Sequence, residues 1–285
     1  MKFAFLLLLS AIIFNSCNPD EPDPAFIYIE DFQFNTAPGE GTSSQKITEM
    51  WLYINDQVVG ITDLPARIPV LETGNVNVGI FPGIKNNGLS SMRIKYPFYS
   101  GYSYSTTLKP LQTDTVVPTF SYFNDLLIVE KDYDGSSPSM VSFSSNQGQL
   151  LIADDPNVAF EGDRCGHYVL EAGNALLAFK DDQNLEFNSG EVVFLELNYS
   201  SNNQFSTGLI AREGTSERKN MAVIINPTTD GDIAPVWNKI YIDLGLIISQ
   251  NSNASYFEIY FEAAPDDLGE PIHIYLDNLK LVRFP

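Results

Sequence analysis

Two cysteines and two histidines in 285 residues leave little material for metal binding or thiol chemistry. A structural zinc site needs four clustered Cys or His ligands. Here Cys165 and His167 stand two apart, while Cys17 and His273 lie far off in sequence. The chain has no G-x-S-x-G elbow, no glycine-rich phosphate loop and no H-E-x-x-H string, so no motif marks acyl transfer, nucleotide hydrolysis or zinc proteolysis. Basic residues are also few, with 16 Lys and Arg against 36 Asp and Glu and a formal charge of −20. The nearest thing to a basic patch, Arg212, Arg218 and Lys219, is interleaved with Glu213 and Glu217. Such a surface repels phosphate backbones, which excludes nucleic acid as an expected partner. Long Ala/Leu/Glu/Lys stretches are missing too, which argues against a helical protein.

What the chain does have is a normal globular balance, 44% apolar and 18% charged, with 19 Gly, 17 Pro, 14 Tyr and 19 Phe. Turn formers and aromatics in these amounts favour strands joined by tight turns. The expected class is all-β. The N-terminus is different in kind. Met1-Lys2 precedes an apolar run, Phe3 to Phe14, broken only by Ser10; Asn15-Ser16-Cys17 ends it, and Asn18 to Pro24 is acidic and proline-rich. The run is too short for a permanent transmembrane helix and has the layout of a secretory signal.

A small residue followed by Cys17 resembles a bacterial lipobox, in which the cysteine is acylated and becomes the mature N-terminus; the alternative is an ordinary signal cleaved near Ser16. The acidic residues after Cys17 resemble the surface-export signal of Bacteroidota lipoproteins. These likenesses imply residues 1–16 as signal peptide, residues 17–25 as a tether, the lipid bilayer as a partner through acylated Cys17, and an outer-membrane location. With Cys17 lipidated, Cys165 has no disulfide partner in the chain.

From Phe26 onward, short apolar runs alternate with turn signals. Phe26, Tyr28, Phe32 and Phe34 share one parity, and two runs flank Asn55-Asp56, a pair that tolerates the positive φ of a hairpin turn. Further turns are expected at Glu72 to Asn75 and Asn86 to Gly88, and about seven strands fit residues 26–123 as an immunoglobulin-like sandwich. The stretch Tyr53 to Ile84 resembles PEGA-type small β domains, although the Pro-Glu-Gly-Ala string itself is missing; the likeness implies an interaction module without activity.

Residues 124–285 carry longer strands, with one helical turn possible between Leu244 and Ser252. Val193, Leu195, Leu197 and Tyr199 share a face, as do Phe257, Ile259 and Phe261, and the strand count points to a jelly-roll sandwich. Ala159 to Leu170, Trp237 to Leu244 and Ile272 to Val282 resemble galactose-binding-like jelly rolls, the fold of many carbohydrate-binding modules. In the closing strand, Ile272, Ile274 and Leu276 hold one parity and Leu279 and Leu281 the other, so a β-bulge is expected at Asp277-Asn278. The jelly-roll likeness implies a possible structural calcium shared by Asp277 and Glu130; without it Asp277 caps local amides. No cofactor is otherwise required. Glu130 to Gly135 imitates the first half of an EF-hand loop but fails at its twelfth position, Val141.

The densest aromatic run is Tyr96 to Tyr104. On an exposed loop, Tyr96, Tyr99, Tyr102 and Tyr104 would offer flat faces to sugar C–H groups or to a protein partner. Tyr241, Tyr260 and Tyr275 are outward-parity candidates in the second sandwich. Asp114-Thr115-Val116 resembles the O-glycosylation site of Bacteroidota proteins. The chain therefore reads as a membrane-anchored, non-catalytic binding protein, most simply for glycans. The alternatives are a structural or adhesion protein contacting envelope proteins and, third, a glycan-active hydrolase.

Overall fold

The structure, a computed structural model, describes residues 22–131, 133–134, 140–229 and 234–285. The expected signal peptide of residues 1–16, Cys17, most of the expected tether, and Asp132 and Gly135 of the EF-hand-like string lie outside these.

In chain order the first half comprises β1 (Ala25–Ile29), β2 (Gln33–Asn35), β3 (Glu49–Ile54), β4 (Gln57–Asp63), β5 (Ala66–Val70), β6 (Gly74–Lys85), β7 (Arg93–Lys95), β8 (Tyr102–Leu108), β9 (Thr113–Val116) and β10 (Thr119–Ser121). The second half comprises β11 (Leu127–Lys131), β12 (Met140–Ser142), β13 (Gln149–Asp154), β14 (Arg164–Leu170), β15 (Leu177–Asp181), β16 (Val193–Ser201), β17 (Phe205–Glu213), β18 (Ser216–Ile225), β19 (Asn238–Asp243), the single turn-and-a-half helix α1 (Gly245–Gln250), β20 (Tyr256–Ala263) and β21 (Ile272–Arg283). The chain is all-β, as its composition implies.

The first half packs a β5-β1-β9 sheet against a larger sheet ordered β4-β3-β6-β7, with β8 also paired to β6; β10 and β2 form a short ribbon. Strand alternation decides which side chains fill the gap. Ala25, Ile27 and Ile29 of β1 are fully buried, as are Met50, Leu52 and Ile54 of β3; each large aliphatic chain so placed contributes about 1.5–3 kcal/mol. Phe26 and Tyr28, which share the opposite parity, face out of the sandwich, and the Arg67 guanidinium stacks 3.3 Å over the Phe26 ring. The Asn55-Asp56 hairpin forms as its residue types require, with φ of 48° and 66°.

The second half stacks a β12-β15-β20-β17-β18 sheet on a sheet ordered β13-β14-β21-β16-β19, to which β11 is added through β21. Its core gathers the expected faces, Val193, Leu195, Leu197 and Tyr199 of β16 against Phe257, Ile259 and Phe261 of β20. The expected bulge in β21 is present. Glu196 opposes Lys280 while Asn198 opposes Asp277, so two residues of β21 stand against one of β16, and Asn278 takes φ 49°. The bulge falls where the edge partner of β21 changes from β14, paired through Leu276, to β11, paired from Leu279.

The outer face of β20 is less wet than alternation suggests. Glu258 is only 5% exposed, held between Lys180 and Arg212, whose Nε lies 2.6 Å away. The two halves also share a buried seam. Phe194, Tyr241 and Val282 on the outer face of the second half's sheet belong to the apolar cluster of the first half, beside Tyr96, Phe98, Tyr99 and Tyr122.

Candidate functional site

The seam disposes of the densest aromatic run. Tyr96 and Tyr99 are each 2% exposed. Tyr96 packs 5.3 Å from Phe194 and 4.9 Å from Tyr241, and its hydroxyl, with that of Tyr122, donates to Oε1 of the buried Glu196 at 2.7 and 2.9 Å. Burial first, then the Glu196 charge, push both phenols well above their ordinary pKa. Tyr102 and Tyr104 oppose Ile80 and Val78 on β6 and so face the core side of the sheet; the Tyr104 hydroxyl donates to Asp114. The expectation of four exposed rings on a loop is overturned by tertiary packing: Tyr96 and Tyr99 join the two halves, and Tyr102 and Tyr104 pack against the core of the first. Tyr241, at 2% exposure, and Tyr260, at 1%, are buried as well.

Partly exposed rings lie on a different surface, the outer face of the β3-β6-β8 sheet. With Met50, Leu52 and Ile54 turned inward, Trp51 and Tyr53 must point out. With Val76, Val78 and Ile80 inward on β6, Asn75, Asn77, Gly79 and Phe81 point out, and their partners on β8 are Ser103, Ser105 and Thr107. Two glycines let the Phe81 ring lie down on the sheet. A Cβ on Gly101 would sit 2.4 Å from Phe81 Cε1, and one on Gly79 would sit 3.3 Å from Cε2. Gly83 does the same for the Trp51 indole, whose Nε1 lies 3.1 Å from the missing Cβ position. Tyr53 stands edge-on to Phe81 at 5.2 Å. Lys95 of β7 completes the cluster: its Nζ donates to the Tyr53 hydroxyl at 3.0 Å and lies 5.0 Å from the Tyr53 and Phe81 rings and 5.8 Å from Trp51.

Beside the rings runs a ladder of amides and hydroxyls. Ser105 donates to Asn77 Oδ1 at 2.8 Å and Thr107 to Asn75 Oδ1 at 2.7 Å, while the Asn77 backbone N–H donates to Asn55 Oδ1 at 2.9 Å. Because the hydroxyls occupy the amide oxygens, the amide nitrogens of Asn75 and Asn77 remain as outward donors. Two cavities of about 430 Å³ each cover this face and meet at Asn77. One is lined by Asn55, Asn75, Ser105 and Thr107, the other by Tyr53, Phe81, Lys95, Asp56 and Ser103. Chemically this is a platform for stacking with hydrogen-bond donors alongside it. Among the described residues lining it, Asp56 is the one carboxylate.

The two carboxylates expected to share a calcium ion differ in their surroundings. Asp277 Oδ2 accepts from the backbone N–H groups of Phe160 and Glu161 at 3.2 and 3.3 Å, and Oδ1 accepts from Asn278 at 2.8 Å. Burial raises its pKa to about 6 despite these amides. Glu130 opposes Lys280 across β11 and β21, but the Lys280 ammonium donates to Thr42 O at 2.6 Å and Glu130 Oε1 is buried without a hydrogen-bond partner. Among the described residues no group of three or more His, Cys, Asp or Glu is placed to hold a metal ion. Calcium between Glu130 and Asp277 would have to rely on backbone carbonyls and displace existing contacts.

Cys165 is fully buried, and burial pushes its thiol up to about 12, so it is no nucleophile. His167 turns to His273, ring nitrogens 3.0 Å apart, and stacks on Tyr275 at 4.2 Å and 9°. Burial and the neighbouring His273 lower its pKa to about 4.

No family model matches the chain, and no curated protein matches it. Among solved structures it is similar to a carbohydrate-binding module of the β-sandwich superfamily, 13% identical, covering 92% of this chain and 99% of the other at a TM-score of 0.44. A family 29 carbohydrate-binding module is similar over 55% of this chain and 87% of its own, 13% identical, TM-score 0.33. The carbohydrate-binding and catalytic modules of a Clostridium thermocellum xylanase, solved with xylohexaose, are similar over 55% of this chain and 28% of their own, 10% identical, TM-score 0.41. At this degree of similarity, function is decided by the chain's own surface.

Proposed function

We propose that the protein is a non-catalytic carbohydrate-binding protein whose ligand lies on the outer face of the β3-β6-β8 sheet. The observation that carries this is the Phe81 ring, laid over Gly79 and Gly101 with Tyr53 edge-on to it, beside an Asn/Ser/Thr ladder. Sugar rings present C–H faces that stack on aromatics and hydroxyls that need amide and hydroxyl partners. Outward residues Asn75 to Phe81 run about 20 Å along β6 at strand rise, long enough for a chain of several sugar units. Glycoside hydrolysis needs two carboxylates roughly 5–9.5 Å apart, and the groove offers Asp56.

Binding should appear in affinity electrophoresis or calorimetry against a panel of neutral and acidic polysaccharides. Tyr53→Ala and Phe81→Ala should each weaken it at least about tenfold, as loss of an aromatic anchor does. If no polysaccharide in the panel binds at millimolar sugar, or if both variants bind as the parent does, the assignment fails.

A second reading, a protein-contacting adhesion module, draws on the same face. Val58 and Ile61 of the edge strand β4 flank the platform at 54% and 44% exposure, and edge strands accept partner strands. In either case we place the protein on a membrane through acylated Cys17, at the outer membrane; Cys17→Ser should release it into the soluble fraction, and unchanged membrane fractionation would remove that proposal.

A further inference from the structure

In a chain of charge −20, three lysines converge on one notch where the halves meet. Lys46 and Lys85 come from the first half and Lys239 from β19 of the second, and they line a cavity of about 30 Å³ with Thr48, Gly88 and Tyr241. That exceeds the 10–15 Å³ a single water needs. The notch is held by backbone: Asn87 N–H donates to Tyr241 O at 2.9 Å, and Lys46 N–H donates to the Tyr241 hydroxyl at 2.9 Å.

Among the described residues a carboxylate meets the ammonium of Lys239 but not those of Lys46 and Lys85. Glu196 Oε1 accepts from Tyr96 and Tyr122, and its Oε2 forms an ion pair with Lys239 Nζ at 2.9 Å, so that one carboxylate is shared by two phenols and an ammonium. Lys239 is 5% exposed, and its ammonium is left without a hydrogen-bond acceptor. Glu49 Oε2 accepts from Thr48, and Oε1 faces Arg93 at 3.5 Å. Lys46 donates to the amide oxygen of Asn238. Neither Lys46 nor Lys85 has a carboxylate partner among the described residues, and the two are close enough that Lys85 helps burial to lower the Lys46 pKa. Around a single cavity stand the buried Lys239, the half-buried Lys85 and the exposed Lys46, three cations against the one shared carboxylate of Glu196.

We infer that this notch is an oxyanion site that takes a sulfate or phosphate group, free or borne on a larger molecule, and ties the two halves together when filled. It is separate from the aromatic face and does not depend on what binds there. The amides of Thr48, Gly88 and Ile240 should shift saturably by NMR when sodium sulfate or phosphate is titrated into the full chain at constant ionic strength. Lys46→Gln and Lys85→Gln should each weaken binding about tenfold, the loss of one charge-assisted hydrogen bond. Lys46 is exposed and Lys85 half-buried, so the variants should keep the parent's amide spectrum elsewhere, which confirms folding. A sulfated monosaccharide that shifts the same amides identifies an anion carried on a sugar; shifts with the inorganic ions alone identify a free ion. Non-saturating shifts, equal shifts with chloride, or variants that bind like the parent would mean an adventitious ion only and overturn the site.

Discussion

Single residues decide whether the aromatic face exists at all. Gly101 has an ordinary backbone conformation, so alanine is tolerated there by the chain, but its methyl would occupy the space of the Phe81 ring edge. Gly101→Ala should therefore tilt the ring off the sheet, leave the melting temperature within a degree or two, and weaken polysaccharide binding several-fold in calorimetry. Unchanged affinity would show that the flat ring is not what the ligand meets. His167 makes a second prediction. Its folded pKa, about 4, lies below the ordinary value near 6.5. A depressed histidine contributes stability above its unfolded pKa and loses it as pH falls through the folded one. Urea midpoints should therefore decline between pH 6.5 and 4, and His167→Gln should flatten that decline; parallel curves for parent and variant would exclude it.

At the scale of elements, the β21 bulge is the best-defined feature. The parity switch between Leu276 and Leu279 placed it in the sequence, because side-chain period is fixed at two and apolar residues must meet the core on both sides of the slip. Asn278 occupies the left-handed region at φ 49°, which Asn and Gly accept and branched residues do not. Asn278→Gly should cost little, whereas Asn278→Val should cost about 1–2 kcal/mol or more in urea unfolding. The same periodicity also separated Met50, Leu52 and Ile54 from Trp51 and Tyr53, so the platform was present in the sequence as aromatics on the parity opposite the aliphatics. Tyr96 to Tyr104 is the denser run of rings, but density along the chain does not say what will cover them.

At the scale of the whole molecule, the seam makes two halves into one body. Glu196 is fully buried and serves two phenols and Lys239. Removing it strands a buried ammonium, which typically costs about 3–5 kcal/mol. Glu196→Ala should lower stability by that order, with one cooperative transition still seen by tryptophan fluorescence and circular dichroism together. Replacing Glu196 and Lys239 together by leucine should recover much of the loss, since no buried charge is then left alone. A Glu196→Ala protein as stable as the parent would contradict a closed seam.

The sequence by itself determined the all-β class, the hairpin at Asn55-Asp56, the short helix after Leu244, the inward faces of β16, β20 and β21 and the bulge at Asp277-Asn278. Each of these follows from local rules of backbone geometry and apolar period. It also carried the signal-like N-terminus, whose consequence rests on Cys17. Tertiary structure decided which outward faces stay outward. Alternation says that Glu196, Asn198 and Tyr241 leave the core of their own sandwich, but only the docking of the other half buries them. The outer face of β3, β6 and β8 is left open, and with it Trp51, Tyr53, Phe81 and Lys95. Burial of an outward side chain depends on contacts some hundred residues away in the chain, such as Tyr96 with Glu196, and no local pattern encodes those.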